Sequence, residues 1–160
     1  MVEFALLAPL AFLVMLGALD FGRLTYDNSF MNNAAREGAR VVTPLNMSGA
    51  SPSTIRDAIV AAVKRTTGGG IQVDSSQLYD LTTIGGSSTT AGTCPTTRPA
   101  PNDVRIYIAP YPTTSTPIPT GQQDVTVQIC FYFAPWVPEV AKWFPGSFVM
   151  RASSTQLTEY

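Results

Sequence analysis

Residues 4–19 carry no charge and are almost entirely apolar, with Glu3 just before them and Asp20 and Arg23 just after. Such a run of helix spans about 24 Å, slightly less than a roughly 30 Å hydrocarbon core. Met1, Val2 and Phe21 extend it enough to cross. Pro9 lies inside the run, where a soluble helix would lose a hydrogen bond but a membrane helix tolerates a kink. Three readings compete. A cleaved secretory signal needs a basic n-region and a small-residue cleavage site, and the run offers neither. A buried core helix of a soluble domain would show a polar face, and none is present. A membrane anchor helix that stays attached fits best.

Beyond Phe21 the helical pattern continues to Val42 and turns amphipathic. Leu24, Met31, Ala34, Ala35, Gly38, Val41 and Val42 fall near one face. Asp20, Arg23, Asp27, Asn32, Asn33, Arg36, Glu37 and Arg40 largely occupy the rest. Ala34 with Gly38, and Ala35 with Ala39, place small residues one turn apart. That spacing allows close approach between helices, or simply fills local packing. Thr43-Pro44 predicts the stop. The whole helix would be about 60 Å long. A rod that is apolar at one end and amphipathic at the other suits packing into a bundle or filament.

A second helix is predicted from an N-cap at Ser51 with Pro52 at the first helical position. Ile55, Ile59, Ala62 and Val63 form its apolar face, and Gly68, Gly69 and Gly70 end it. Lys64 and Arg65 near its C-terminus suit the helix dipole. Ile71, Gln72 and Val73 alternate as a short strand, and Val104, Ile106 and Ile108 as another. The clearest strand sets Val125, Val127, Ile129, Phe131 and Phe133 against Thr126, Gln128, Cys130 and Tyr132. Its odd-numbered face is expected to pack on the helices. A final strand is expected over 148–155. The result is an α+β fold: a long N-terminal helix, hydrophobic then amphipathic, on a small antiparallel β-sheet with one further helix. The helix would occupy 1–42 and a globular head 43–160.

Two segments resist this patterning. Residues 82–121 are rich in Thr, Ser, Pro and Gly and cannot build a core alone. They are expected as exposed loops around the 104–109 strand, with an O-glycosylated or adhesive face as the alternative. Residues 135–145 hold Trp136, Trp143 and Phe144 among prolines. Their aromatics are expected to fold back on the core, with an exposed contact patch or a membrane-interface belt as alternatives.

Composition narrows the chemistry. The 160 residues suit one domain, and only 13% are charged, about half of what is typical for soluble domains. That fits an exported or surface protein. With 10 basic and 11 acidic residues the chain has no electrostatic footprint for nucleic acid. It contains no histidine, which excludes Ser-His-Asp and Cys-His nucleophiles and every His-ligated metal site. Cys94 and Cys130 form no CxxC motif and in an oxidising compartment read as one disulfide. Such a bond would staple the first loop to the polar face of the strong strand. No phosphate-binding glycine motif is present, because Gly68, Gly69 and Gly70 lack the following Lys and Ser/Thr. Asp57, Asp74, Asp80, Asp103, Asp124, Glu139 and Glu159 are scattered, with neither acid–base pair spacing nor a calcium loop. No catalytic residue, cofactor or metal ligand is therefore assigned, and an enzyme is not expected.

The N-terminal residues carry a resemblance. Val2-Glu3-Phe4-Ala5-Leu6-Leu7-Ala8-Pro9-Leu10 is followed by Leu16-Gly17-Ala18-Leu19-Asp20-Phe21-Gly22-Arg23 and by Asn32-Asn33-Ala34-Ala35-Arg36-Glu37-Gly38-Ala39-Arg40. The order and spacing resemble the TadE-like family of pilin-like proteins, part of the tight-adherence (Flp-type) pilus machinery of bacteria. The resemblance covers about the first quarter of the chain. It implies a pilin-like subunit held in the inner membrane by its N-terminal helix, which then enters, caps or primes a surface filament used in adhesion. It also implies partners: copies of this chain or other pilins, and the pilus assembly machinery. Glu3 matches the glutamate near the mature N-terminus of pilin-like proteins, although it stands two positions nearer the start than usual. Arg23, Arg36 and Arg40 follow the apolar run, an asymmetry that alone would place the head in the cytoplasm. A basic leader upstream is expected to reverse it. Glu3, Phe4, Pro9, Phe21, Ala34 and Gly38 are the candidate assembly residues. The rival reading is a membrane-anchored or secreted monomeric binding module acting through its Thr/Pro-rich and tryptophan loops.

Overall fold

The computed structural model describes residues 2–47, 49–67, 73, 75–96, 102–113, 118, 123–135 and 148–158, with backbone alone for 2–6, 46, 47 and 75. The tryptophan segment expected to fold back on the core, most of the 71–73 strand and the three glycines expected to end the second helix lie outside the described residues.

One uninterrupted helix, α1 (Val2–Met47), runs through both the apolar and the amphipathic pattern. It does not stop at Thr43-Pro44, as the sequence predicts. Pro44 sits one turn from the C-terminus, where only one backbone bond is forfeited. The stop is made further on. Gly49 adopts φ +67°, and the Ala50 N–H reaches back to the Leu45 carbonyl at 3.1 Å. This six-to-one closure needs a residue that accepts the left-handed region, and glycine does so without a Cβ clash. Leu45 and Ala50 both pack against the core.

The second helix, α2 (Pro52–Thr66), begins as expected: Ser51 accepts the Thr54 N–H through its side chain, and Pro52 opens the first turn. Ile55, Ile59, Ala62 and Val63 are buried. Two short 3-10 turns, Ser75–Gln77 and Leu81–Ile84, bracket a three-residue strand, β1 (Leu78–Asp80). The longer strands are β2 (Asp103–Ala109), β3 (Gln123–Phe133) and β4 (Phe148–Thr158). The sheet order is β1-β2-β3-β4. The β2–β3 and β3–β4 pairs are antiparallel, setting Ile106 against Ile129 and Ile129 against Ala152. At the far edge β1 joins β2 in parallel, so the sheet is mixed. A parallel pair needs a long connection, and the 81–102 crossover supplies it. The alternation rule cannot register β1, because three residues between Gln77 and Leu81 are too few to carry a period.

The odd face of β3 faces the helices as predicted. Val125, Val127, Ile129 and Phe131 join Ile106 and Ile108, Ile59 and Val63, and Met31, Ala34, Ala35, Ala39 and Val42 in one core. The even face departs from the expectation of an exposed loop beside a polar surface. Thr126, Gln128, Cys130 and Tyr132 are all buried, under a cover made by residues 86–95. The Thr126 hydroxyl donates to the Ser88 carbonyl at 2.6 Å. Gln128 accepts the Gly92 N–H at 2.7 Å and returns a bond to the Gly92 carbonyl at 3.2 Å. The Tyr132 hydroxyl donates to the Pro95 carbonyl at 2.9 Å. Cys94 and Cys130 are joined in a disulfide, with Cα atoms 5.8 Å apart. The cover has little apolar material, so it docks by satisfying polar groups in pairs instead of by burying a greasy face. Gly92 is tied to close approach: a Cβ there would lie 2.6 Å from the Ile84 carbonyl oxygen.

Candidate assembly stalk and its junction with the head

Between Leu7 and Leu19 the side chains of α1 are largely exposed. Leu7, Leu10, Phe12, Leu13, Val14, Met15, Leu19 and Phe21 are each more than half exposed. A core helix would bury this stretch, so that alternative is excluded. The helix is long and apolar enough to cross a membrane. Glu3 and Phe4 fall in its first turn, with side chains outside the described part. Pro9 is exposed within an unbroken helix. Glu3 stands seventeen positions before Asp20, which places it about 26 Å down the axis. Such an apolar rod cannot rest in water. It requires an apolar environment.

Ala34 and Gly38 take a different place from the one the sequence suggests. Both are buried inside the head. A Cβ on Gly38 would meet Val127 at 3.3 Å, Val63 at 3.5 Å and Ile59 at 3.6 Å. Their small size lets α1 lie close on α2 and β3 of the same chain, and it is not available for a seam between copies. Helical spacing alone cannot tell a neighbour in the same fold from one in another molecule. Glu3, Phe4, Pro9 and Phe21 remain on the projecting stalk; Ala34 and Gly38 do not.

Where the stalk leaves the head, Gly17, Asp20, Phe21 and Leu24 meet Phe133, Pro135 and Phe148 around an apolar cleft of about 310 Å³. Asp20 is only 8% exposed there. Phe133 and Phe148 pack edge to face, with centroids 6.5 Å apart. Arg23 ties this end of the sheet to the helix. Its guanidinium lies over the Phe133 ring, 5.1 Å from the centroid, and donates to the Asn102 side-chain oxygen at 3.2 Å. Its other terminal nitrogen points at the Ala134 carbonyl at 3.5 Å. The same Asn102 oxygen accepts the Ala134 N–H at 3.2 Å. Asn102 adopts φ +58°, a conformation asparagine tolerates better than most residues. Arg23 also lies 3.8 Å from Asp27, one turn on. Burial pushes the Asp27 carboxyl above its ordinary range, and the Arg23 charge pulls it back only in part.

The sequence marks Arg23 as one polar position among several. It does not mark Asn102, whose only signal is its place between Pro101 and the β2 strand. Arg23→Ala is expected to cost about 1–2 kcal/mol, from the lost ring contact and the hydrogen bond to Asn102. It should also raise amide exchange at Ala134. Hydrogen exchange of the detergent-solubilised chain measures this. Unchanged protection at Ala134 would show that Asn102 holds the junction alone.

Among the described residues no cluster of His, Cys, Asp and Glu is placed to hold a metal. Asp80, one of the scattered carboxylates, accepts the Thr82 N–H at 2.9 Å and caps a turn. What the site offers is apolar surface, joined to the head by the Arg23 contacts to Asn102 and Phe133.

Residues 1–40 match the family model described as TadE-like protein. The matched segment contains the whole exposed stalk, the Arg23 junction and the small residues buried in the head. No curated protein and no solved structure matches the chain.

Proposed function

We propose that this chain is a structural, non-catalytic subunit of a tight-adherence (Flp-type) pilus system. The apolar half of α1 anchors it in the inner membrane. It then enters or primes a surface filament, with the α+β head outward. The observation that carries this reading is the stalk itself: an apolar helix, largely exposed from Leu7 to Leu19, continuous with a packed head, and matching the TadE-like family model over residues 1–40. Lipid tails and a bundle of apolar helices are similar solvents for such a rod. The same face therefore serves storage in the membrane and packing in a polymer. Apolar contact alone does not fix the axial offset between copies. We assign that role to Glu3, whose carboxylate must find a cation when the stalk is buried among others. Phe4, Pro9 and Phe21 supply shape along the same surface. The partners are copies of this chain or other pilins, together with the assembly machinery.

The test is to shear surface filaments from cells and measure this chain in that fraction by mass spectrometry, with its intact N-terminus. Abundant protein there supports a filament subunit, and trace amounts a minor or tip subunit. Complete absence, with all of the chain in the membrane fraction, would overturn the filament role and favour an assembly-platform pseudopilin or an anchored binding module. Glu3→Leu is expected to leave the protein in the membrane while abolishing its recovery from sheared filaments. Normal recovery of that variant would sink the role given to Glu3.

A further inference from the structure

Away from the stalk, α1, α2 and β4 line an open polar cleft of about 920 Å³. Arg36 and Arg40 of α1 and Arg65 of α2 line it, against one carboxylate, Glu37. Three guanidinium groups less one carboxylate leave a local charge of +2, in a chain whose net charge is -1. Glu37 does little to cancel it. Its oxygen lies 3.9 Å from Arg40, in a pair whose side chains are 44% and 81% exposed, and water screens such pairs. Among the described residues neither Arg36 nor Arg65 has a carboxylate at ion-pair distance. Arg65 donates its Nε–H to the Ala61 carbonyl at 3.3 Å. That bond holds the side chain against its own helix and uses none of the terminal nitrogens.

The remaining lining selects among anions. It contains no aromatic ring, so nothing stacks on a nucleobase or a sugar. Ser154 and Gln156 line the cleft from β4, the outer strand of the sheet. Their hydroxyl and amide can both donate and accept, as a peptide backbone requires. Guanidinium forks match carboxylates in two-point geometry.

We propose that this cleft binds an acidic peptide segment of a partner protein, held extended with its carboxylates on Arg36 and Arg65. The head alone forms the cleft, so it stands or falls independently of the stalk's role in a filament.

The test uses the full chain in detergent micelles and fluorescein-labelled hexaglutamate, read by fluorescence anisotropy. Saturable binding is expected, weakening as salt rises. The Arg36→Glu/Arg65→Glu double variant should bind at least tenfold more weakly. Arg36→Gln/Arg65→Gln should show the same direction with less risk to folding, which circular dichroism checks. Arg56→Gln lies on α2 about 14 Å from Arg65 along the helix and should leave binding unchanged. Absence of saturable binding, or equal binding by the glutamine double variant, would overturn the assignment. So would an oligothymidylate that competes as well as unlabelled hexaglutamate, because that would mark a general polyanion surface.

Discussion

With Cys94 and Cys130 both replaced by serine, the head is expected to lose about 4 kcal/mol of stability. The bond spans a sequence separation of 36, and closing a loop of that length removes much conformational freedom from the unfolded chain. The same bond holds the cover over β3, but it does not hold it alone. Ser88, Gly92 and Pro95 are each hydrogen-bonded to the sheet face by Thr126, Gln128 and Tyr132. Each such bond contributes about 1 kcal/mol. The cover should therefore stay docked in the serine variant at low denaturant, and the loss should appear as an earlier global transition. Chemical unfolding of the full chain in detergent, followed by circular dichroism, measures the midpoint. Reducing the native chain should reproduce the variant. An unchanged midpoint would show that the bond constrains nothing in the unfolded state. A separate early transition would show that the hydrogen bonds cannot retain the cover without it.

Period explains which parts of this architecture the sequence displays. Residues 4–19 and the odd positions of β3 announce themselves as elements because a long uncharged apolar run reads as a helix and a strict alternation as a strand. Ser51 and Pro52 start a helix where the cap chemistry says they must. The failures occur where one signal has two meanings. Pro44 reads as a stop, yet a proline in the last turn costs one bond and the helix passes through it; Gly49, with its positive φ, ends the helix instead. Gln128 and Thr126 read as a polar surface, yet they are buried because 86–95 satisfies them in pairs. Nothing in a run of Ser, Thr and Gly announces that it will lie down on a sheet. The cysteines were the one hint, since a bond from Cys94 to the even face of β3 brings the cover with it.

Ala34 and Gly38 carry the same ambiguity, and Gly38 gives the second large effect. Gly38→Leu is expected to destabilise the head by at least about 2 kcal/mol. Side chains beyond a Cβ at this position have no room, since Val127, Val63 and Ile59 already stand 3.3 to 3.6 Å from it. Overpacking of this kind costs about 1–3 kcal/mol or more, because α1 must lift from both α2 and β3. Losing a mid-helix glycine returns up to about 1 kcal/mol of backbone entropy. Gly38→Ala separates these terms. Its methyl demands a few tenths of an ångström from the Val127 side chain, and the helix gain offsets that, so the alanine variant should fall within about 1 kcal/mol of the native chain. The pair of midpoints decides between packing within the chain and a seam between chains. If Gly38 serves the head, Leu lowers the unfolding midpoint of the isolated, detergent-solubilised chain and Ala does not. If it served contact between copies, both variants would unfold like the native chain in isolation and fail only in the filament.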